Sequence, residues 1–345
     1  MRWFVAMLIG VGAPSMGAEC PTIGGVDAVI RPGTVLVLGQ LYGTAESPEF
    51  VRDVACHATA ADLPVVVGVE LPAGERGRIE LFLDSTGAPG DRESLISGPP
   101  WQSDPQDGRT SFAMLQLIDG LRWLRAAGKS IRVVPFDTGG AGDDPPHERG
   151  MGGALAAAAK AAPDSMMVVL AGNVHTRPMR GRASNADHEP MAYVLARQIP
   201  GRDVITLDVA HGPGSAWNCS SGCGPVEVLG TEGDWRWTVQ LDETMPPDGH
   251  HGRYFIGDVT ASPPARGGAA TVPVDETPWV RRRTGWTPDD WSPPAAPPRA
   301  MGDLTAAEQL FQGDWQSYLY ESGKRSWKMR FEGRSFHAEG GGGTG

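Results

Sequence analysis

The amino-acid sequence predicts an α/β fold, a mostly parallel sheet with helices on both faces. Three observations carry that expectation. Apolar runs such as Thr34–Gly39 and Leu63–Val69 are continuous rather than alternating, as in strands buried on both faces. Helix-length amphipathic segments separate them. Each run stops at a glycine or a polar residue, and in open α/β sheets ligands bind beyond such strand ends.

The first strand is Thr34–Gly39. Residues 47–61 form the first helix, with Ser47 as N-cap and Pro48 at the first helical position. Leu63–Glu70 is the second strand, apolar until Glu70. Residues 110–127 carry Phe112, Leu115, Leu117, Ile118, Leu121 and Leu124, a helical stripe. Ile131–Asp137 is the third strand, the Ala-rich stretch 151–162 a helix, and Ser165–Leu170 the fourth strand, breaking at Ala171-Gly172-Asn173. Later strands are expected at 204–207 and 235–239. The polar residues gather at strand ends: Gln40 and Tyr42, Glu70, Asp137, Asn173 and His175.

The chain divides into four parts. Residues 1–18 read as a signal peptide: Arg2, an apolar run from Trp3 to Val11, then small residues to Ala18. The α/β domain spans 24–240. Residues 241–302 are a Pro/Gly-rich extension or linker, punctuated by Pro246-Pro247, Pro263-Pro264, Pro293-Pro294 and Pro297-Pro298, with Trp279, Trp286 and Trp291 spaced along it. Residues 303–345 read as a short helix, Leu304–Phe311, and a β-hairpin that could open a truncated β-domain.

Composition limits the functions. A chain of 345 residues with 40% hydrophobic residues buries a sizeable core. A net charge of −11 with no basic block disfavours nucleic-acid binding, and Arg281-Arg282-Arg283 reads as a solvated turn. No stretch reaches the roughly 18 apolar residues of a membrane span, so the chain is not an integral membrane protein. The four cysteines form an even set, suited to an oxidising compartment. Cys219 with Cys223 would close a small Gly-containing loop, and Cys20 with Cys56 would tie the mature N-terminus to an early helix. The rival zinc reading lacks zinc-finger spacing, and Glu19 before Cys20 fits a lipobox badly. The expected location is the periplasm or the exterior, and the sequence is silent on oligomeric state.

Gly39-Gln40-Leu41-Tyr42-Gly43-Thr44-Ala45-Glu46, Val67-Gly68-Val69-Glu70 and Leu170-Ala171-Gly172-Asn173-Val174-His175 together resemble the Tiki superfamily. That group includes erythromycin-esterase-like hydrolases, Tiki metalloproteases and ChaN-like haem-binding lipoproteins. The resemblance covers roughly residues 30–240. Asp107–Ser111, the Arg149/Met151 pair and Ser215–Cys219 also look like motifs of secreted bacterial relatives. The resemblance implies the parallel α/β sheet and a site at the carboxyl ends of its strands. The chain departs from the pattern at Gln40 and Tyr42, where active relatives would carry Glu and His.

Glu70 and His175 are the candidate catalytic pair, a carboxylate and an imidazole able to act as base and acid. Gln40, Tyr42, Asp137 and Asn173 are candidate ligand contacts, and Arg109 and Arg149 could hold an anionic group on the ligand. Glu46 reads as a structural partner of the first helix. The remaining histidines show no ligand spacing except His250-His251, read as loop. With Gln40 and Tyr42 in place, a three- or four-ligand metal site is hard to build, so no metal ligand is assigned.

Three functions compete: an exported hydrolase of an ester or amide, a ChaN-like haem- or iron-binding protein using Tyr42 and His175, and a catalytically degenerate scaffold. The cofactor is open between haem, a divalent metal and none, and the partner is a small-molecule or peptide ligand. The chain has no G-x-S-x-G elbow and no phosphate-binding G-x-x-x-x-G-K-[ST] loop.

Overall fold

A computed structural model of the chain describes residues 20–266, apart from 141–143, 183–184, 220–221, 232–235 and 245–248, together with the backbone of 313–317, 327–332 and 335–340. The expected signal peptide, the three spaced tryptophans and the helix expected at 304–311 lie outside the described residues.

The main sheet has seven strands: β1 (Val35–Gln40), β2 (Val65–Pro72), β3 (Ile131–Asp137), β4 (Met166–Gly172), β5 (Val204–Ala210), β8 (Arg236–Leu241) and β9 (Gly252–Ile256). Their order is β3-β2-β4-β1-β5-β9-β8. All neighbours pair in parallel except β8, which runs antiparallel on the edge. The fold class is therefore the expected one. Residues 252–256, within the Pro- and Gly-rich stretch, add a strand to this sheet. Strands β6 (Gly214–Asn218) and β7 (Gly224–Val228) form a separate hairpin. Strands β10 (Gly313–Ser317), β11 (Trp327–Glu332) and β12 (Ser335–Gly340) form an antiparallel sheet, one strand more than the expected hairpin.

The sheet separates two cores because successive strand residues face opposite sides. In β1, Leu36 and Leu38 belong to one core, with Phe50, Val54, Leu117 and Leu121 from α1 (Glu46–Ala60) and α5 (Phe112–Ala126). Val35 and Val37 belong to the other, with Met151, Leu155, Met191 and Leu195 from α6 (Pro145–Lys160) and α7 (Met191–Gln198). Short helices α2 (Arg76–Leu83), α3 (Pro89–Ile96) and α4 (Pro99–Gln102) follow β2. They carry no long apolar stripe, and the sequence reading did not find them.

Two helix starts differ from expectation. Helix α1 begins at Glu46 after Ala45, with no side-chain cap, so Ser47 lies inside the first turn, wholly buried. Helix α6 begins at Pro145, six residues before the alanine stretch. Pro145 and Pro146 fill the first helical positions, where a missing N–H has no cost. Ser111 caps α5 as its side chain accepts from the Met114 N–H. Both expected disulfides are present, Cys20–Cys56 and Cys219–Cys223. They are compatible with an oxidising compartment. No helix among the described residues is long and apolar enough to cross a membrane.

Candidate functional site

The site lies at the carboxyl ends of β1, β2, β3 and β4, where the sheet order reverses around β1 and β4. Strand alternation aims Glu70. Its neighbours Val67 and Val69 pack into the α1/α5 core. Val66, an even-numbered residue of β2, packs into the α6/α7 core, and Glu70 shares its parity. The same parity sends Gln40 to the opposite face with Leu36 and Leu38, buried at the end of β1.

Glu70 is 3% exposed and heavily engaged. The Tyr42 hydroxyl lies 2.7 Å from both of its carboxylate oxygens. The Gly172 N–H donates to Oε2 at 2.9 Å. Arg109 Nη1 is 3.6 Å and His175 Nε2 3.9 Å from Oε1. Gly172 makes this possible, because a Cβ there would overlap the Tyr42 hydroxyl. Burial first, then the charge and hydrogen bond of Glu70, push the Tyr42 phenol well above its ordinary range.

His175 follows β4 in a tight turn, its N–H bonding Gly172 O at 2.9 Å, and its carbonyl accepts from the Ala192 N–H of α7. Its Nδ1 lies 2.8 Å from Glu148 Oε1. Glu148 is completely buried in the first turn of α6, where the helix dipole favours an anion. Its second oxygen accepts from the Met191 N–H at 2.7 Å. Burial pulls the His175 pKa down, but the Glu148 hydrogen bond and the charges of Glu70 and Glu148 outweigh it, and the net shift is upward.

Asp137 ends β3 against a second imidazole. His147 Nε2 is 2.9 Å from Asp137 Oδ1, and the His147 and His175 rings meet edge to face at 6.0 Å. Arg109 joins the groups: its Nε and Nη2 bond Asp107 at 2.9 and 2.6 Å, and Nη1 is 3.9 Å from Asp137. Burial would lower the guanidinium pKa, but the hydrogen bonds and charges of Asp107 and Glu70 raise it. A cleft of about 560 Å³ opens beside Glu70, Asp107, Arg109 and Asp137, with an apolar wall that includes Leu71, Pro72 and Pro100. His175 lies next to Glu70 and is not among the residues that line this cleft.

Of the expected site residues, Glu70, Tyr42, Arg109, Asp137 and His175 come together. Asn173 stands in the turn before His175, its Oδ1 close to Gly39 and without a hydrogen bond. Arg149 is exposed on α6, and no contact places it at this site. The sequence reading missed Glu148 and His147, one position apart. The signal was a His-Glu pair directly after Pro145-Pro146, a proline pair that can open a helix.

The residues do not fit a metal centre. Among the described residues no group of three or more His, Cys, Asp and Glu side chains is placed to hold an ion, and Glu70 is already taken by Tyr42, Gly172 and Arg109.

No protein-family model matches the chain, and neither does any curated protein. Several solved structures align with it, three of which follow. A succinoglycan biosynthesis protein is 10% identical, with 58% of this chain and 72% of that one covered at a TM-score of 0.44. A mutant erythromycin esterase in its open conformation is 14% identical, with 59% and 78% covered at 0.43. The type III effector HopBA1 is 12% identical, with 71% and 98% covered at 0.38. At these values the likeness is one of overall layout, and it assigns no role to any residue.

Proposed function

We propose that the chain is an exported hydrolase of an ester or amide, with His175 and Glu70 as its acid–base pair. The observation that carries this reading is the array Glu148–His175–Glu70. A buried carboxylate fixes the imidazole through Nδ1 and leaves Nε2 directed at Glu70. Such an orienter makes a histidine a general base.

In the proposed reaction a water held at Glu70 loses a proton to His175 Nε2. The resulting hydroxide adds to the substrate carbonyl carbon in the cleft. Glu148 and Glu70 stabilise the imidazolium. The tetrahedral intermediate expels the alcohol or amine, which takes the proton back from His175. Arg109 supplies positive charge beside the oxygen that becomes negative.

Haem ligation through Tyr42 is the weaker reading. A phenolate ligand requires the phenol to lose its proton, and burial and Glu70 oppose that.

Initial rates on a panel of p-nitrophenyl esters and amides, with wild type beside His175→Ala, test the reading. Saturable turnover that disappears in the variant supports it. Turnover retained by His175→Ala overturns it, and no turnover on any substrate favours the degenerate scaffold. A haemin titration that shifts the Soret band and weakens in Tyr42→Phe would transfer the assignment to haem binding.

A further inference from the structure

We propose that Trp217 is a positioning residue that sets the Arg109 guanidinium against Glu70, acting from the disulfide-closed hairpin β6–β7; this rests on the hydrolytic reading of the Glu70–His175 site. The hairpin reaches the loop that carries Tyr42 and the loop that carries Arg109. The Trp217 backbone N–H donates to Gly43 O at 2.9 Å, next to Tyr42. Its indole N–H donates to Gln106 O at 3.0 Å, three residues before Arg109. One buried residue, 6% exposed, therefore ties the two loops, its backbone holding the Tyr42 loop and its indole the Arg109 loop.

The packing at this junction leaves little freedom. Gly43 and Gly108 adopt φ of +75° and +99°, the left-handed region that favours glycine. A Cβ on Gly43 would strike the Trp217 backbone, and a Cβ on Gly108 would strike Gly43. Gln106 is 3% exposed and secures its loop by donating to Pro100 O at 3.2 Å and accepting from the Thr110 hydroxyl at 2.6 Å. Arg109 follows from that fixed stem and lies over the Tyr42 ring at 5.9 Å. Two residues beyond Trp217, the Cys219–Cys223 bond closes the hairpin end.

The test reads Arg109 from the imidazole rather than from turnover. His175 faces Glu148, Glu70, Arg109, His147 and, beyond Glu148, His188. Arg109 is one of the cations that hold its titration down. Proton NMR of the histidine ring protons, with the His175 signal identified by its loss in His175→Gln, gives the midpoint in each variant. Arg109→Gln should move it upward. Trp217→Phe keeps the aromatic body and loses the indole N–H, and should move it in the same direction by less. In the Arg109→Gln background Trp217→Phe should then move nothing.

If Trp217→Phe does not fold, Cys219→Ser with Cys223→Ser opens the hairpin and leaves Trp217 in place, and the same upward shift is expected. A midpoint unmoved by either change, or one moved equally with and without Arg109, overturns the proposal. An absence of hydrolysis by the wild type would remove the hydrolase reading while leaving this measurement interpretable.

Discussion

Two imidazoles at opposite places in the sheet, one buried and one half-buried, titrate in opposite directions. His175 beyond β4 is shifted upward, and His251 before β9 downward. Burial disfavours the charged form at both. At His251 nothing reverses it: Nδ1 accepts from the Thr206 N–H at 3.1 Å, and the ring borders a hollow of about 200 Å³ with Ile205 and Leu241. A backbone donor fixes the neutral ring. At His175 a buried carboxylate 2.8 Å from Nδ1, with a second 3.9 Å from Nε2, reverses the sign. Burial alone does not make a histidine reactive; the carboxylate that shares the burial does.

The comparison can be broken most severely at His175. Its replacement by Ala should lower ester turnover by about 10²- to 10⁴-fold, with the melting temperature as a check on folding. The matching change at the other imidazole, His251→Asn, should alter turnover by less than about twofold.

A carboxylate without a cation completes the logic. Glu46 accepts the Thr260 N–H at 3.1 and 3.0 Å, and burial outweighs its hydrogen bonds and raises its pKa to about 7 from an ordinary 4.5. A raised folded-state value means that its contribution to stability is complete below pH 4.5 and is lost as pH rises through 7. The loss should be on the order of 3 kcal/mol. Urea unfolding from pH 4 to 8 should show that slope in wild type and a flatter one in Glu46→Gln.

Glu148→Gln should act on both sides of the comparison. Losing the Glu148 stabilisation of the imidazolium should lower turnover roughly tenfold. The His175–Glu148 pairing stabilises the fold below the unfolded histidine value of about 6.5 and is lost as pH rises through the folded one. The variant should therefore lose more stability at pH 5.5 than at pH 8.5. His251 has the opposite sign and the smallest effect. Its depressed value penalises the fold as pH falls below about 6.5, so His251→Asn should unfold at slightly higher urea at pH 5 and be unchanged at pH 8.

The fold was legible because strand periodicity and apolar content are written directly in the residues. Glu70 and His175 were legible for the same reason: each is the polar residue at or just beyond an apolar run. Glu148 and His147 were hidden by the alanines at 154 and 156–159. These drew the expected start of α6 to 151, whereas the prolines start it at Pro145. Strand β9 was obscured by the prolines around it, since its place depends on pairing with β5, a contact distant in sequence.

The central claim is that His175, oriented by Glu148, is the base. The pH dependence of kcat/KM in wild type and Glu148→Gln tests it most directly, because its acid limb reports the free enzyme's base. The account predicts a wild-type limb above pH 6.5 that moves downward in Glu148→Gln. A limb at the same pH in both proteins would contradict it.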